Sequence, residues 1–517
     1  MLAEVRRRVM ARLADDAATD PAASWEYVLN EVCYHELARL AGSEGKEHAK
    51  WQKLAFRINQ MSDPERRRAV EELVDELCRD VVGNFDQRVY KFVTTVLPPA
   101  FGFLFSPVAS VRQGVEAIAQ LDARISIEGE LELIRHIARK GTIAVAPTHS
   151  SNMDSPVIGL ALLRAGLPPV AYGAGKNLFT NPFISFFMRN LGAYRVDRRL
   201  KYGLYKLVLK EYSTVLLEHG YHSLFFPGGT RCRSGLVERH LKLGLLGTTV
   251  GASKYRARAG DAQRLYVVPA TINYRLVLEA ETLIEDFLAE DGKSRYIITD
   301  DEFSRATRIL EFARKIFALE GAVVVRFGRP LDPLGNDIND EGESIDQRGV
   351  VIDPVEYLRD ASGDIVDDDQ RDAEYTKLLG KRLAAAYPAL TVYHATHLVA
   401  RAVFDELASQ FETRDIYKLS RLPAAHLVVA RAAVVRRTER LLERLREPSA
   451  AGRLHSALLT ANAAAVVQDA MHALATYHTK AVLAQHGEVL VAQDVKLIFY
   501  YQNRTAHFAT DGERGVQ

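Results

Sequence analysis

GTIAVAPTHSSNMDSP, residues 141–156, sets an apolar, β-rich run against a polar turn and then a proline. The run reads as a buried strand, and Pro156 stands where the first turn of a helix begins, its missing amide hydrogen harmless there. His149 and Asp154 then fall on the loop at the carboxyl end of a strand, where open α/β sheets bind ligands. On a continuous helix the two would lie roughly 140° apart, but a loop can fold the carboxylate back onto the imidazole. A carboxylate on one ring nitrogen fixes the tautomer and leaves the other nitrogen to take a proton from a hydroxyl. The plainer reading makes Asp154 a helix cap and His149 a satisfied loop histidine; the stretch alone leaves both open.

Further β-rich runs follow on either side of helical stretches. LFFPGG (224–229), RLYVVPATINY (264–274) and AVVVRFGRPL (322–331) alternate with ELELIRHIARK (130–140) and the helical pattern of 199–220. This alternation predicts an α/β domain over 121–331, with a mainly parallel sheet flanked by helices. Residues 1–120 read as an N-terminal helical region, from patterns such as RRRAVEELVDELCRDVV. From Asp332 to Glu374, 15 acidic residues face 3 basic ones, which predicts a solvated acidic loop or insertion over 332–378. Residues 379–517 read as a C-terminal, mainly helical region closed by a strand-like VKLIFYYQNRTAH, and no internal repeat stands out.

With 517 residues and 48% hydrophobic content the chain is too long for one core and too apolar for disorder. Its 67 basic and 66 acidic residues exclude a general nucleic-acid binder, so any polyanion must meet a local patch. Cys33, Cys78 and Cys232 lack CxxC spacing, which argues against a disulfide framework or a zinc site. The first residues lack the apolar core of a secretory signal, giving an expectation of the cytoplasmic side. Residues 92–111, FVTTVLPPAFGFLFSPVASV, are long enough to span a bilayer. Pro98, Pro99 and Pro107 argue against a regular spanning helix and leave an interfacial element or a core segment.

Two basic stretches follow the His149 loop. GAYRVDRR (192–199) places three arginines after a turn glycine, and FFPGGTRCRSG (225–235) holds Arg231 and Arg233 on glycine-rich backbone. Between Arg195 and Lys242 ten basic residues outnumber four acidic ones, enough for a phosphate-binding patch, since arginine donates two parallel hydrogen bonds. Gly228, Gly229 and Gly235 let the backbone approach a ligand closely. A solvated helix face and a surface turn are the plainer readings of the two stretches. Cys232 reads as a small residue more than a reactive thiol, and His394 and His397 as packing or surface histidines more than metal ligands. The run Asp367, Asp368, Asp369 lacks calcium-loop spacing, and GAGKN lacks the spacing of a phosphate loop.

Taken in order, HSSNMD resembles the H-x4-D signature of the glycerolipid acyltransferases, and GAYRVDRR, FPGGTRCRSG and VVPATINY resemble their second, third and fourth blocks. The longer layout, including KNLFTNPFISFFMRNLGAYRVDRR, VVVRFGRPL and LIFYYQNR, is similar to that of glycerol-3-phosphate acyltransferases. The resemblance implies that His149, oriented by Asp154, is the general base for attack of the sn-1 hydroxyl of glycerol 3-phosphate on a long-chain acyl thioester. It implies no metal or cofactor, with acyl-CoA or acyl carrier protein as co-substrate. Arg195, Arg198, Arg231 and Arg233 would hold the acceptor phosphate, with Gly229 and Thr230 presenting the backbone to it. The expected partners are glycerol 3-phosphate, the acyl donor and a phospholipid surface, with no nucleic acid, for a protein peripheral to the cytoplasmic side of the cell membrane. Phe179, Phe183, Phe186 and Phe187 join 92–111 as the candidate membrane surface.

At two positions the chain departs from the pattern it resembles. Gly228 stands where the third block usually has glutamate, and Cys232 where it has serine. A carboxylate from Asp197 or Glu238 is the expected substitute. Acylation of dihydroxyacetone phosphate or lysophosphatidic acid, or a catalytically silent lipid-binding role, are the alternatives.

Overall fold

The chain enters through four helices, α1 (Leu2–Thr19), α2 (Trp25–Arg39), α3 (Lys46–Arg57) and α4 (Asp63–Val81). In this computed structural model the described residues are 1–20, 23–42, 45–95, 125–179, 182–291, 323–447, 452–476 and 478–507. Ser62 and Glu65 form a reciprocal capping box that starts α4, with Pro64 in its first turn. The apolar stripes of the four helices, including Val9, Leu29, Val32 and Val74, close a core with Tyr194, Tyr205, Val208 and Tyr212 of the sheet domain.

That domain alternates strands and helices as expected: β1 (Ile125–Gly129), α5 (Leu131–Lys140), β2 (Thr142–Pro147), α6 (Asp154–Arg164), β3 (Ala171–Gly175), α7 (Pro182–Asn190), β4 (Ala193–Val196), α8 (Gly203–Glu218), β5 (Ser223–Leu224), α9 (Leu243–Arg258), β6 (Leu265–Tyr274), α10 (Ala280–Asp291) and β7 (Val323–Phe327). The seven strands lie in the order β1-β7-β6-β2-β5-β3-β4. Strands β6, β2, β5, β3 and β4 run parallel, whereas β7 is antiparallel to β6 and carries β1 with it. β2 and β6 are buried along their whole length, as central strands covered on both faces must be. Consequently the segments after β2, β5, β3 and β4 all emerge at one end of the sheet.

A different construction covers the opposite end. After Leu331, which pairs with Val267 near the start of β6, Asp332, Asn339, Asp346, Asp353 and Asp360 recur every seven residues. Gly335, Gly342, Gly349 and Gly363 follow three positions behind four of them, with φ between +79° and +90°. In these four units the side-chain Oδ1 accepts the amides two and four residues on, at 2.7–3.1 Å. Asp353 is followed by Pro354 and a short 3-10 turn instead of a glycine. The expected acidic loop is therefore an ordered ribbon of turns with a seven-residue period. The repeat does not stand out from the sequence because its units, with one to three apolar residues each, follow neither a helix nor a strand period.

The longer C-terminal helices are α11 (Asp369–Leu390), α12 (Ala395–Gln410), α13 (Arg431–Arg446), α14 (Ala463–Thr476) and α15 (Val495–Gln502), with a single helical turn at Ile416–Leu419. α11 runs across the boundary expected at 378/379. α12 is buried on nearly every side, and its core is continuous with that of the sheet through Tyr393, Leu398, Phe404 and Tyr501. The strand expected over VKLIFYYQNRTAH is a helix instead: the Asp494 side chain caps the Leu497 amide at 3.0 Å and Asn503–Thr505 adds a 3-10 turn. Its aromatic composition favours a strand, but burial of Leu497, Ile498 and Tyr501 against α12 decides the conformation. A small antiparallel sheet of Val428–Ala430, Leu483–His486 and Val489–Ala492 completes the region.

Candidate functional site

At the carboxyl end of β2 the Thr148 amide donates to Ala270 O and its hydroxyl accepts from Ile272, fixing the loop to β6. The loop then folds Asp154 back onto His149, Nδ1 to Oδ2 at 2.7 Å. The same Oδ2 accepts the amides of Ser150 (2.6 Å) and Ser151 (2.9 Å), and Oδ1 accepts the Tyr274 hydroxyl at 2.7 Å. Asp154 is fully buried, at 0% exposure, and opens α6, where the helix dipole also favours its charge. A carboxylate so surrounded by donors is an acceptor, which puts the imidazole proton on Nδ1 and leaves Nε2 basic. Asp154 is the first residue of α6 and its carboxylate accepts no amide of that helix, so it orients the histidine and does not cap the helix. The His149 side chain is 13% exposed and stacks on Phe226, with ring centroids 4.3 Å apart.

The glycine-rich stretch after β5 grips the same histidine by its backbone. Cys232 N–H donates to His149 O at 2.8 Å, and Glu238 Oε1 accepts His149 N–H at 2.7 Å. Gly229 lies in the left-handed region at φ +74°, and a side chain there would run into Lys242. Gly235, at φ +77°, lies so close to α15 that a Cβ would stand 2.1 Å from Tyr500 O. Arg231 reaches Glu279, Nη1 to Oε1 at 3.6 Å. Glu279, 2% exposed just before α10, in turn accepts the Ser151 hydroxyl and the Asn152 amide, both at 2.9 Å. His149, Asp154 and Arg231 are thus linked through one frame of hydrogen bonds and an ion pair. Burial pushes the Glu279 carboxyl up and raises Glu238 to about 8. Burial likewise pushes the Cys232 thiol up, against a thiolate nucleophile and in line with a small packing residue.

The arginines of the first basic stretch, 192–199, are engaged elsewhere. Arg195 on β4 pairs with Asp80 of α4 at 3.2 Å and lies over the Phe179 ring, while Lys176 holds the other oxygen of Asp80 at 2.9 Å. Arg199 makes a two-pronged pair with Asp197, so that carboxylate is not the substitute for the one Gly228 lacks. Arg198 and Thr230 are exposed, and Arg233 is half-buried. β4 lies three strands from β2, about 14 Å at the usual spacing, so Arg195 and Arg198 belong to a neighbouring basic cluster at the same end of the sheet.

Glu279, Tyr274, Asp80 and Lys242 were not singled out by any local pattern; the first two join the site only through folding. Among the described residues no group of three or more His, Cys, Asp or Glu is placed to hold a metal ion. Asp367 is bound by Lys254 and Arg258, and Asp369 by Arg12. His394 and His397 are buried at the start of α12, where desolvation pushes both down.

Comparison with known proteins agrees with the site. The family model Acyltransferase matches residues 128–273, which contain both gripping segments. A glycerol-3-phosphate acyltransferase from Pseudomonas aeruginosa (strain UCBPP-PA14) is 26% identical over 286 residues, 54% of this chain and 29% of that protein. Another, from Pseudomonas paraeruginosa, is 30% identical over 211 residues, 40% of this chain and 22% of that protein. The matches thus span less than a third of these curated relatives. A solved 1-acyl-sn-glycerophosphate (LPA) acyltransferase, PlsC, from Thermotoga maritima is similar over 58% of this chain and 92% of that one, at 15% identity and a TM-score of 0.26. With the H-x4-D pair in place on a mainly parallel sheet, residues 128–273 form an acyltransferase domain of the glycerolipid type.

Proposed function

We propose that the protein moves a long-chain acyl group from acyl-CoA or acyl carrier protein to the sn-1 hydroxyl of glycerol 3-phosphate. The observation that carries this reading is the Asp154–His149 pair, with Nδ1 held by a buried carboxylate and Nε2 left basic. Nε2 takes the proton of the attacking hydroxyl as its oxygen bonds to the thioester carbonyl carbon. The tetrahedral intermediate then collapses, the carbon–sulfur bond breaks, and the imidazolium returns the proton to the leaving thiolate. Arg231, tied to the histidine loop through Glu279, is the nearest anchor for the acceptor phosphate. Arg233, Gly229 and Thr230 on the same turn extend that anchor, and Arg195 and Arg198 stand by for a longer polar head.

The product partitions into a bilayer, so the reading includes peripheral attachment to the cytoplasmic face of the cell membrane. Exposed Phe85, Phe92 and Phe186 lie on segments that meet at the Phe85–Leu191 bridge, with exposed Arg88, Lys91 and Arg189 among them. Phe179 is turned to Arg195 instead. The Phe183 side chain and residues 96–111 lie outside the described residues. Among the described residues no helix is long and apolar enough to cross a membrane.

The test is acyl transfer from palmitoyl-CoA, in mixed micelles, to glycerol 3-phosphate, dihydroxyacetone phosphate and lysophosphatidic acid in parallel, repeated with acyl carrier protein as donor. Preference for glycerol 3-phosphate supports the proposal. Preference for another acceptor moves it within the enzyme class, and no transfer to any of them favours a silent lipid-binding role.

A further inference from the structure

We propose that Glu238 is a positioning residue for His149 and fills the space that a side chain at position 228 would take, so that residues 228 and 238 act as one unit. The proposal rests on the reading of His149 as the general base.

Four observations converge on it. Glu238 Oε1 accepts the His149 amide at 2.7 Å, so the carboxyl sets the height of the histidine backbone above β2. A Cβ built on Gly228 would stand 2.6, 2.7 and 2.8 Å from Oε2, Cδ and Oε1 of Glu238, which means the carboxyl lies flat on the glycine. Gly228 is absent from the left-handed region that holds Gly229 and Gly235, so the nearby Glu238 carboxyl, and not a positive φ, is what favours glycine there. Lastly, Glu238 Oε2 is sealed from water and has no hydrogen-bond partner among the described residues.

The other carboxylates nearby are already engaged. Asp197 is taken by Arg199, and Glu279 by Ser151, Asn152 and Arg231. Asp154 and Arg504 face Glu238 with opposite signs, and burial exceeds both, so the group keeps its proton at neutral pH. A neutral carboxyl holds the amide without adding a second negative charge beside Asp154. A carboxyl group thus reaches the glycine turn from ten residues downstream, and the departure at Gly228 leaves the histidine supported.

The test is a set of variants measured for acyl transfer and for thermal melting. Glu238→Ala is expected to lower kcat by roughly 10- to 100-fold, as a displaced base does, with acceptor KM within about 2-fold. Glu238→Gln, which keeps the acceptor for the His149 amide, should stay within about 3-fold of the parent. Gly228→Glu alone should lose activity by collision, and Gly228→Glu combined with Glu238→Ala should recover to within about 10-fold, the carboxyl then coming from position 228. Glu238→Ala with unchanged kcat, or Gly228→Glu as active as the parent, overturns the proposal. Should the parent show no transfer with any acceptor, the proposed function fails separately and melting decides the pairing. A melting penalty for Gly228→Ala that disappears in the Glu238→Ala background supports the unit; a penalty unchanged there overturns it.

Discussion

The two ends of the sheet use the same residue types in opposite ways. In the ribbon of turns at the amino end, Asp332, Asn339, Asp346 and Asp360 direct their side chains to amides within four residues of themselves, and their glycines answer to backbone conformation. At the carboxyl end, Asp154 also collects donors from a histidine ring and from Tyr274, 120 residues away, and Gly228 answers to a neighbour's carboxyl. One end is local and repetitive, the other depends on the whole fold. Substitutions in the ribbon should therefore change stability alone, and substitutions at the site should change turnover.

The largest effect should come from the orienting carboxylate. Asp154→Asn offers His149 an amide in place of a carboxylate and should lower kcat by about 10³- to 10⁴-fold, as loss of the correct tautomer does in triads of this kind. A loss under 10-fold would mean that the site does not depend on that bond.

Next comes Arg231→Ala, which removes a charged donor tied to Glu279. It should raise acceptor KM by roughly 10- to 100-fold with a smaller change in kcat, the size of a lost charge-assisted hydrogen bond. A pure kcat effect would place Arg231 on the reacting atoms instead.

In the ribbon, Gly342→Ala should cost about 1–3 kcal/mol of stability with kcat/KM unchanged. Its φ is +84° and a Cβ would meet Ile137 and Tyr266 at 2.9 Å. Gly349→Ala, at φ +79° but with open space around it, should cost only about 1 kcal/mol, and denaturant unfolding of the pair separates strain from collision. Any loss of turnover at either position at working temperature would break the contrast between the two ends.

A subtler effect sharpens the contrast through pH. The folded pKa of Glu238, about 8, lies above its value in the open chain, so between about pH 4.5 and 8 the folded state holds the extra proton. Stability from this group is therefore lost as pH rises through that window. The melting temperature of the parent should fall relative to Glu238→Gln from pH 5 to 8, and parallel curves would contradict the shift.

What the sequence discloses follows the same division. The strands of the sheet stand out as short apolar runs, and the H-x4-D pair is visible because its two members sit on one loop. Glu279 lies 128 positions beyond the Ser151 it holds, and Asp80 lies 115 before Arg195, so only the fold brings them together. Gly228 reads as a missing acid with Asp197 or Glu238 as the substitute, and only the fold, which ties Asp197 to Arg199 and lays Glu238 against the glycine, chooses between them. The seven-residue ribbon is open to view, with Ile338, Ile345 and Ile352 recurring beside its Asx and glycine turns, but that spacing is neither the helix nor the strand period by which elements are recognised. In VKLIFYYQNRTAH the composition pointed to a strand, while one capping aspartate and the packing of α15 on α12 made a helix.

The central claim, that His149 is a base poised by Asp154 for acyl transfer to a phosphate-bearing alcohol, is tested most directly by comparing the parent with His149→Ala. Both would be supplied with palmitoyl-CoA and glycerol 3-phosphate in micelles, with circular dichroism to show that both are folded. Release of CoA with formation of 1-acylglycerol 3-phosphate by the parent, and its loss in the folded variant, is the expected result. Equal turnover by the two proteins would contradict the account.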